Sequence, residues 1–385
     1  MNNNVMIIAG EASGDLHGAN LVRAMHAMRS ELTFSGMGGK ELIAAGVDVL
    51  FEAKKIAVVG IAEVFTHLPD ILAARKILRN ALKEERPTLL ILIDFPDFNL
   101  MLAKFAKKLG IPVFYYITPQ VWAWRPGRVK TIRERVDTVG VILPFEEEFF
   151  RNHGLDAEYV GHPLLDSVVR TMDREEFCRM KNIEADSLCI GLLPGSRKKE
   201  IAALLPTLLQ TAQNLQKQNT TQKKMVFLIP VASTISEAEI RENGLDEYGS
   251  GLDIRLIKEN RYDMMAACDV AVVVSGTVTL ELALLDTPMV VIYKFSNITY
   301  RIGKLLVNKD LKYFSLVNLI GGKEIVPELL QEEVNPLRIE QELGNILFDR
   351  ERREDMLQGL RGVRQKMGTP GASKRAADLA LRLIA

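Results

Sequence analysis

Six short stretches of this 385-residue chain combine reactive residue types with spacings that put them in turns. In Ile93-Asp94-Phe95-Pro96-Asp97-Phe98-Asn99, five apolar residues from Leu89 to Ile93 deliver Asp94 to the end of a buried strand. A carboxylate there is partly desolvated, which raises its pKa and suits it to general-base work. A turn or capping aspartate would look the same, and Asp97 could equally cap the following helix. Ala9-Gly10-Glu11-Ala12-Ser13-Gly14-Asp15 puts small residues between a strand and a helix. Backbone N–H groups there can approach an anion, or the turn merely joins the two elements. Its spacing is not GxGxxG, and no GxxxxGK[ST] occurs, so dinucleotide and P-loop readings lose their main support.

Thr118-Pro119-Gln120-Val121-Trp122-Ala123-Trp124-Arg125 holds both tryptophans, two apart. In an extended segment they face one side. Beside Arg125 and Arg128 they suit a sugar face or acyl chain next to a phosphate, or they pack as loop anchors. Leu192-Leu193-Pro194-Gly195-Ser196-Arg197-Lys198-Lys199-Glu200 is a strand, a tight turn and a cationic helix start. Arg197 can pair bidentately with a phosphate. Cations at a helix N-terminus oppose the macrodipole unless an anion sits between them, which favours an anion site over a solvated basic turn. Ser275-Gly276-Thr277-Val278-Thr279-Leu280-Glu281 again suits phosphate at a helix start, with Glu281 placed to accept bonds from ribose hydroxyls. Asn318-Leu319-Ile320-Gly321-Gly322-Lys323-Glu324 offers one amide to a ligand.

The elements that must position these loops follow a βαβα rhythm, which implies parallel sheets covered on both faces. Strands are expected at Val5–Ala9, Leu89–Ile93, Ile111–Tyr116 and Thr138–Leu143, then at Cys189–Leu193, Val226–Pro230, Ile254–Ile257, Val270–Val274 and Pro288–Tyr293. In open parallel sheets ligands bind beyond the carboxyl ends of strands, where all six loops lie. Two α/β halves therefore follow one another, with a boundary near 160–175 around Gly161-His162-Pro163. The stretch from Asn335 reads as helices, interrupted by Gly368–Ser373, with a last helix to about Leu383.

Composition limits the function classes. Lys+Arg and Asp+Glu number 49 each, so no global field draws a nucleic acid. Cys178, Cys189 and Cys268 form no CxxC, which argues for a reduced cytosolic setting. The five histidines form no HxxxH or HExxH, so a metal site has little support. No apolar run approaches the roughly 20 residues of a membrane span, and the N-terminus lacks a basic signal-peptide region.

Taken in order, the six motifs resemble the lipid-A-disaccharide synthase family over about residues 5–335, with Glu328-Leu-Leu-Gln-Glu-Glu333 extending the match. The resemblance implies an α/β protein of the GT-B plan with two Rossmann-like domains. Residues 1–168 would form an acceptor and membrane-facing domain and residues 169–345 a UDP-sugar domain. Residues 346–385 would be helices crossing back to the first domain. It implies inverting transfer of 2,3-diacylglucosamine from UDP to the 6-hydroxyl of 2,3-diacylglucosamine 1-phosphate, with no metal or other cofactor. Asp94 would be the base. UDP-sugar would be bound at Gly195, Ser196, Arg197, Ser275, Gly276, Thr277, Glu281 and Asn318. Glu11, Ser13, Gly14, Asp15, Asp97, Asn99, Trp122, Trp124 and Arg125 would touch the acceptor, sugar or lipid. The donor would sit in the C-terminal half and the acceptor in the N-terminal half, with closure excluding water. Phe95 stands where the family commonly has Ala.

Both substrates are lipids, so a cytoplasmic enzyme held peripherally at the inner membrane of a Gram-negative bacterium is expected, as a monomer or homodimer. Val64, Phe65, Leu68, Ile71 and Leu72 recur at helical spacing, with Pro69 expected to break the run and Arg75, Lys76 and Arg79 following. An apolar stripe with basic neighbours suits a lipid surface, or an ordinary core-packed helix. Two rivals remain. A UDP-N-acetylglucosamine 2-epimerase-like enzyme would share the plan and the Gly161 turn but leave the apolar segment unexplained. A non-catalytic UDP-sugar-binding regulator would need no Asp94.

Overall fold

The computed structural model describes residues 3–56, 68–123, 127–221, 223–232, 234–294 and 311–384. They form two compact units. One is Met1–Asp166 with Thr369–Ala385; the other comprises the described residues between Ser167 and Gly368.

In the first unit, β1 (Asn4–Ala9), β2 (Thr33–Gly38), β3 (Asp48–Glu52), β4 (Leu89–Ile93), β5 (Val113–Tyr116), β6 (Thr138–Val141) and β7 (Ala157–Tyr159) make a parallel sheet. Its order among the described residues is β3-β2-β1-β4-β5-β6-β7. The winding reverses between β1 and β4, which opens a crevice at their carboxyl ends. Alternate residues serve opposite faces. Met6, Ile8, Leu90 and Leu92 pack in the core that includes Leu78 of helix Leu68–Glu85 and Phe98 of helix Pro96–Lys108. Val5, Ile7, Leu89, Ile91 and Ile93 pack with Leu21 and Val22 of helix Ala12–Met28 and with Ala376, Ala377 and Ala380 of helix Ala372–Leu381. Burial on both faces is why these strands read as unbroken apolar runs.

The chain's last helix is tied into this first unit by polar bonds. The Asp166 carboxylate accepts from the Gly371 and Ala372 N–H groups at 2.5 and 3.2 Å, and Arg375 Nε donates to the Val160 carbonyl at 2.8 Å. Arg375 lies over Gly161, where a Cβ would be 2.3 Å from the guanidinium.

The second unit repeats the plan with β8 (Leu188–Leu193), β9 (Met225–Pro230), β10 (Asp253–Ile257), β11 (Val270–Val274), β12 (Met289–Tyr293) and β13 (Glu328–Leu330). Its parallel order is β10-β9-β8-β11-β12-β13, with the reversal between β8 and β11. Helices Pro336–Phe348 and Arg350–Met367 belong to this unit, so the C-terminal helices divide between the two units.

Pro69 sits in the first turn of Leu68–Glu85, where a missing N–H costs nothing, and the part of the apolar run before it, 57–67, lies outside the described residues. Strands β2, β7 and β13 carry no apolar run of strand length to announce them, and β3 only the three residues Val49, Leu50 and Phe51. In β2, Gly36 (φ +152°) has no room for a side chain, because a Cβ would lie 1.9 Å from the Ile7 carbonyl oxygen.

Candidate functional site

At the reversal of the first sheet, β4 ends and Asp94 and Phe95 both take left-handed backbone, φ +43° and +48°. Ile117, just past β5, does the same at +58°. Three neighbouring non-glycine residues held there mark a spot where surrounding bonds override local preference. Those bonds are visible. Asp94 N–H donates to the Ile117 carbonyl at 3.1 Å. The Asp94 carbonyl accepts from Tyr115 Oη and Asn99 Nδ2, both at 2.7 Å, and Asn99 Nδ2 also reaches the Ile93 carbonyl at 3.1 Å. The backbone is clamped and the carboxyl is left in a half-buried position. Burial, then the nearby Glu11 carboxylate, holds it above the usual aspartate range, against a bond from the Phe95 N–H.

The other first-unit residues separate by role. Glu11 is exposed at the start of helix Ala12–Met28 and is close enough to act on Asp94; Ser13 is exposed beside it. Gly14 brings that helix onto the sheet, where a Cβ would lie 3.3 Å from Ile93. Asp15 is buried. Its carboxylate accepts from the N–H groups of Gly39, Glu41 and Leu42 at 2.6, 3.0 and 3.2 Å and so holds the start of helix Lys40–Ala44. Asn99 is fully buried and positions Asp94. Asp97 is exposed and paired with Arg128. The Phe95 ring lies on Gly10, where a Cβ would be 2.3 Å from it, so this residue roofs the first turn.

Trp122 is 6% exposed and is an anchor, not a free ligand face. Its ring meets Phe145 edge-on at 4.9 Å and its Nε1–H donates to Glu146 Oε1 at 2.9 Å. Burial pushes Glu146 up to about 7, while Trp122 and the Leu143 and Ile142 amides pull the other way. Trp124 and Arg125 lie outside the described residues, as do Val64 and Phe65. The Gly161-His162 turn is also structural: burial, then His17, pushes His162 down to about 3, and its Nδ1 accepts from the Leu164 N–H at 3.1 Å.

At the reversal of the second sheet lies a cavity of about 620 Å³. Gly195, Ser196 and Arg197 line it from the end of β8, and Ser275, Gly276, Thr277 and Glu281 line it from the end of β11. Seven of the eight residues expected to bind UDP-sugar thus converge. Asn318 is not among the lining residues of this cavity. It is fully buried; its Nδ2 donates to the Val326 carbonyl and Glu328, and its Oδ1 accepts from the Ile325 and Val326 N–H groups, all at 2.7–3.0 Å. That leaves the amide as the pin of its own loop.

Sequence reasoning missed Arg261 in this cavity. Its Nη2 pairs with Glu281 Oε1 at 3.0 Å and its guanidinium lies 4.6 Å from the Tyr262 ring centre. Burial raises the Glu281 pKa and Arg261 opposes it. The available signal was position: Arg261 opens the helix that follows β10 after the short turn 258–260, beyond a strand's carboxyl end and next to left-handed Asn260. The cavity thus offers cations, hydroxyls and one buried acceptor, a set suited to a phosphorylated sugar or nucleotide.

A family model described as lipid-A-disaccharide synthetase matches residues 5–381. The lipid-A-disaccharide synthase of Syntrophus aciditrophicus (strain SB) is 48% identical over 380 residues, which covers 99% of this chain and 97% of that one. Among solved structures, Acinetobacter baumannii MurG aligns with a TM-score of 0.61 at 16% identity, covering 99% of both chains. The UDP-GlcNAc 2-epimerase from Neisseria meningitidis bound to UDP-GlcNAc aligns with 0.60 at 12%, covering 98% of both. At those identities the structures speak for the fold alone, which is the GT-B plan.

Proposed function

The chain belongs to the lipid-A-disaccharide synthase family of glycosyltransferases, and from that premise we propose how its residues divide the work. The reaction moves 2,3-diacylglucosamine from UDP to the 6-hydroxyl of 2,3-diacylglucosamine 1-phosphate with inversion, giving the β-1′,6-linked disaccharide 1-phosphate and UDP. The second-unit cavity takes the UDP part of the donor. Arg197 and the Gly195–Arg197 and Ser275–Thr277 turns face the diphosphate, and Glu281, oriented by Arg261, accepts from the ribose. Asp94 accepts the proton of the acceptor's 6-hydroxyl as that oxygen bonds to the anomeric carbon. The bond to UDP breaks on the opposite side, and its electron pair stays on the β-phosphate oxygen, where Arg197 and turn N–H groups stabilise the charge.

The observation that carries this reading is Asp94 itself: a clamped backbone and a desolvated carboxyl at a sheet reversal. An Asp94→Asn variant should lose UDP release from UDP-2,3-diacylglucosamine while binding UDP as the wild type does. Turnover like the wild type's would remove Asp94 as the base.

The first unit presents a face suited to an anionic bilayer. Leu68 and Leu72 are 46% and 45% exposed on helix Leu68–Glu85, beside Arg75 and Lys76, and Met101 is exposed on the neighbouring helix with Lys104 and Lys108. Ile71, grouped with them in the sequence, packs on the core instead. No helix among the described residues is long and apolar enough to cross a membrane, so attachment would be at the surface, through apolar side chains and basic neighbours.

A further inference from the structure

We propose that Glu200 is an internal anion that occupies the diphosphate-binding donors of the second-unit cavity until the nucleotide displaces it. This rests on the reading that the cavity takes the UDP part of the donor. Glu200 Oε2 accepts from the N–H groups of Ser196 and Arg197 at 3.2 and 3.3 Å, and its Oε1 accepts from Arg197 Nη1 at 3.0 Å. These are the groups that an incoming phosphate oxygen would need: two amides opening the 20-residue helix Lys198–Lys217, and its flanking guanidinium. The carboxylate lies flat on the turn because Gly195, at φ +105°, has no side chain. A Cβ there would be 2.3 Å from Glu200 Oε2.

Two features make the occupation exchangeable. The amide bonds are at the long end for an ionised acceptor. The Glu200 side chain is 28% exposed and lines the cavity, so water and ligand reach it. A carboxylate and a diphosphate cannot share three donors, since like charges at contact distance repel strongly in a partly enclosed site. Glu200 therefore turns aside when UDP enters and returns when UDP leaves. It weakens the binding of donor and product alike, and so favours clearing UDP after each turnover. A carboxylate that only caps the helix would instead stay in place and support the turn around the nucleotide. The two roles predict opposite signs.

The test is titration calorimetry of the full chain with UDP, for wild type, Glu200→Gln, Glu200→Ala and Arg197→Ala, at low and high salt. Arg197→Ala should bind UDP about tenfold more weakly, and both Glu200 variants should bind it about tenfold more tightly at low salt, the gap narrowing at high salt. Glu200→Ala keeps the test alive if the glutamine variant folds poorly, because alanine is a strong helix former. Weaker or unchanged UDP binding in the Glu200 variants, with Arg197→Ala impaired, overturns the exchange and leaves the UDP site standing. Unchanged binding in Arg197→Ala overturns the UDP-site reading and the exchange together.

Discussion

Glu146 makes the first unit's stability depend on pH in a way that one substitution isolates. The residue is buried beneath the Trp122 loop, and its carboxyl is pushed from 4.5 up to about 7 because desolvation outweighs the bonds from Trp122, Leu143 and Ile142. The folded chain therefore holds this proton more tightly than the unfolded chain. Its contribution is fully present below pH 4.5 and is lost as pH rises through about 7. At about 1.4 kcal/mol per pH unit, the loss comes to about 3 kcal/mol. Glu146→Gln keeps the shape and cannot ionise, so it loses nothing over this window. Urea unfolding followed by tryptophan fluorescence measures the effect, since both tryptophans, Trp122 and Trp124, fall in the Met1–Asp166 stretch and report on that unit. The stability of wild type minus that of Glu146→Gln should fall by about 3 kcal/mol between pH 4.5 and pH 8, other titrations cancelling in the difference. A difference that is flat with pH, or rises, would refute the desolvated carboxylate.

Other outcomes follow from the same structure. Burial and Glu11 hold Asp94 above the ordinary range, so kcat/KM should rise with pH along an acidic limb displaced upward from an ordinary aspartate. Asp94→Asn should abolish that limb and lower turnover about a hundredfold or more. Asp15→Ala leaves three N–H groups of the 39–42 turn without their acceptor and should cost the first unit about 3 kcal/mol in denaturant unfolding, with UDP affinity unchanged. Leu68→Glu with Leu72→Glu, both at exposed positions, should release the protein from anionic vesicles without lowering its Tm; retained binding would remove this face as the lipid contact.

Much of the site was legible in the sequence because the chemistry at Asp94, Gly195–Arg197 and Ser275–Thr277 comes just after a buried strand. The runs Leu89–Ile93, Leu188–Leu193 and Val270–Val274 are apolar throughout, the usual pattern of a strand covered on both faces. Such a strand must deliver Asp94, Gly195 or Ser275 to its carboxyl end. The convergence of the Gly195–Arg197 and Ser275–Glu281 stretches was readable for the same reason.

What the residue types could not disclose was which polar groups were already spent. Asp15, Asn99, Trp122 and Asn318 look like ligand contacts in a list of motifs. In the folded chain they hold a helix start, a strained turn, a loop and a second loop. A buried hydrogen-bonding group must find a partner, and which group supplies it is settled only when the chain folds. Asp15 reaches residues 39–42, and Glu146 reaches Trp122. Arg261 ran the other way, ordinary in sequence and brought to the cavity only by strand order. The sequence by itself determined the βαβ rhythm, the strand ends and the six reactive loops, because periodicity and turn chemistry are local. Tertiary structure decided the strand order, the return of the last helix to the first unit, and the division of polar residues into exposed and engaged, because those depend on distant backbone competing for the same donors and acceptors.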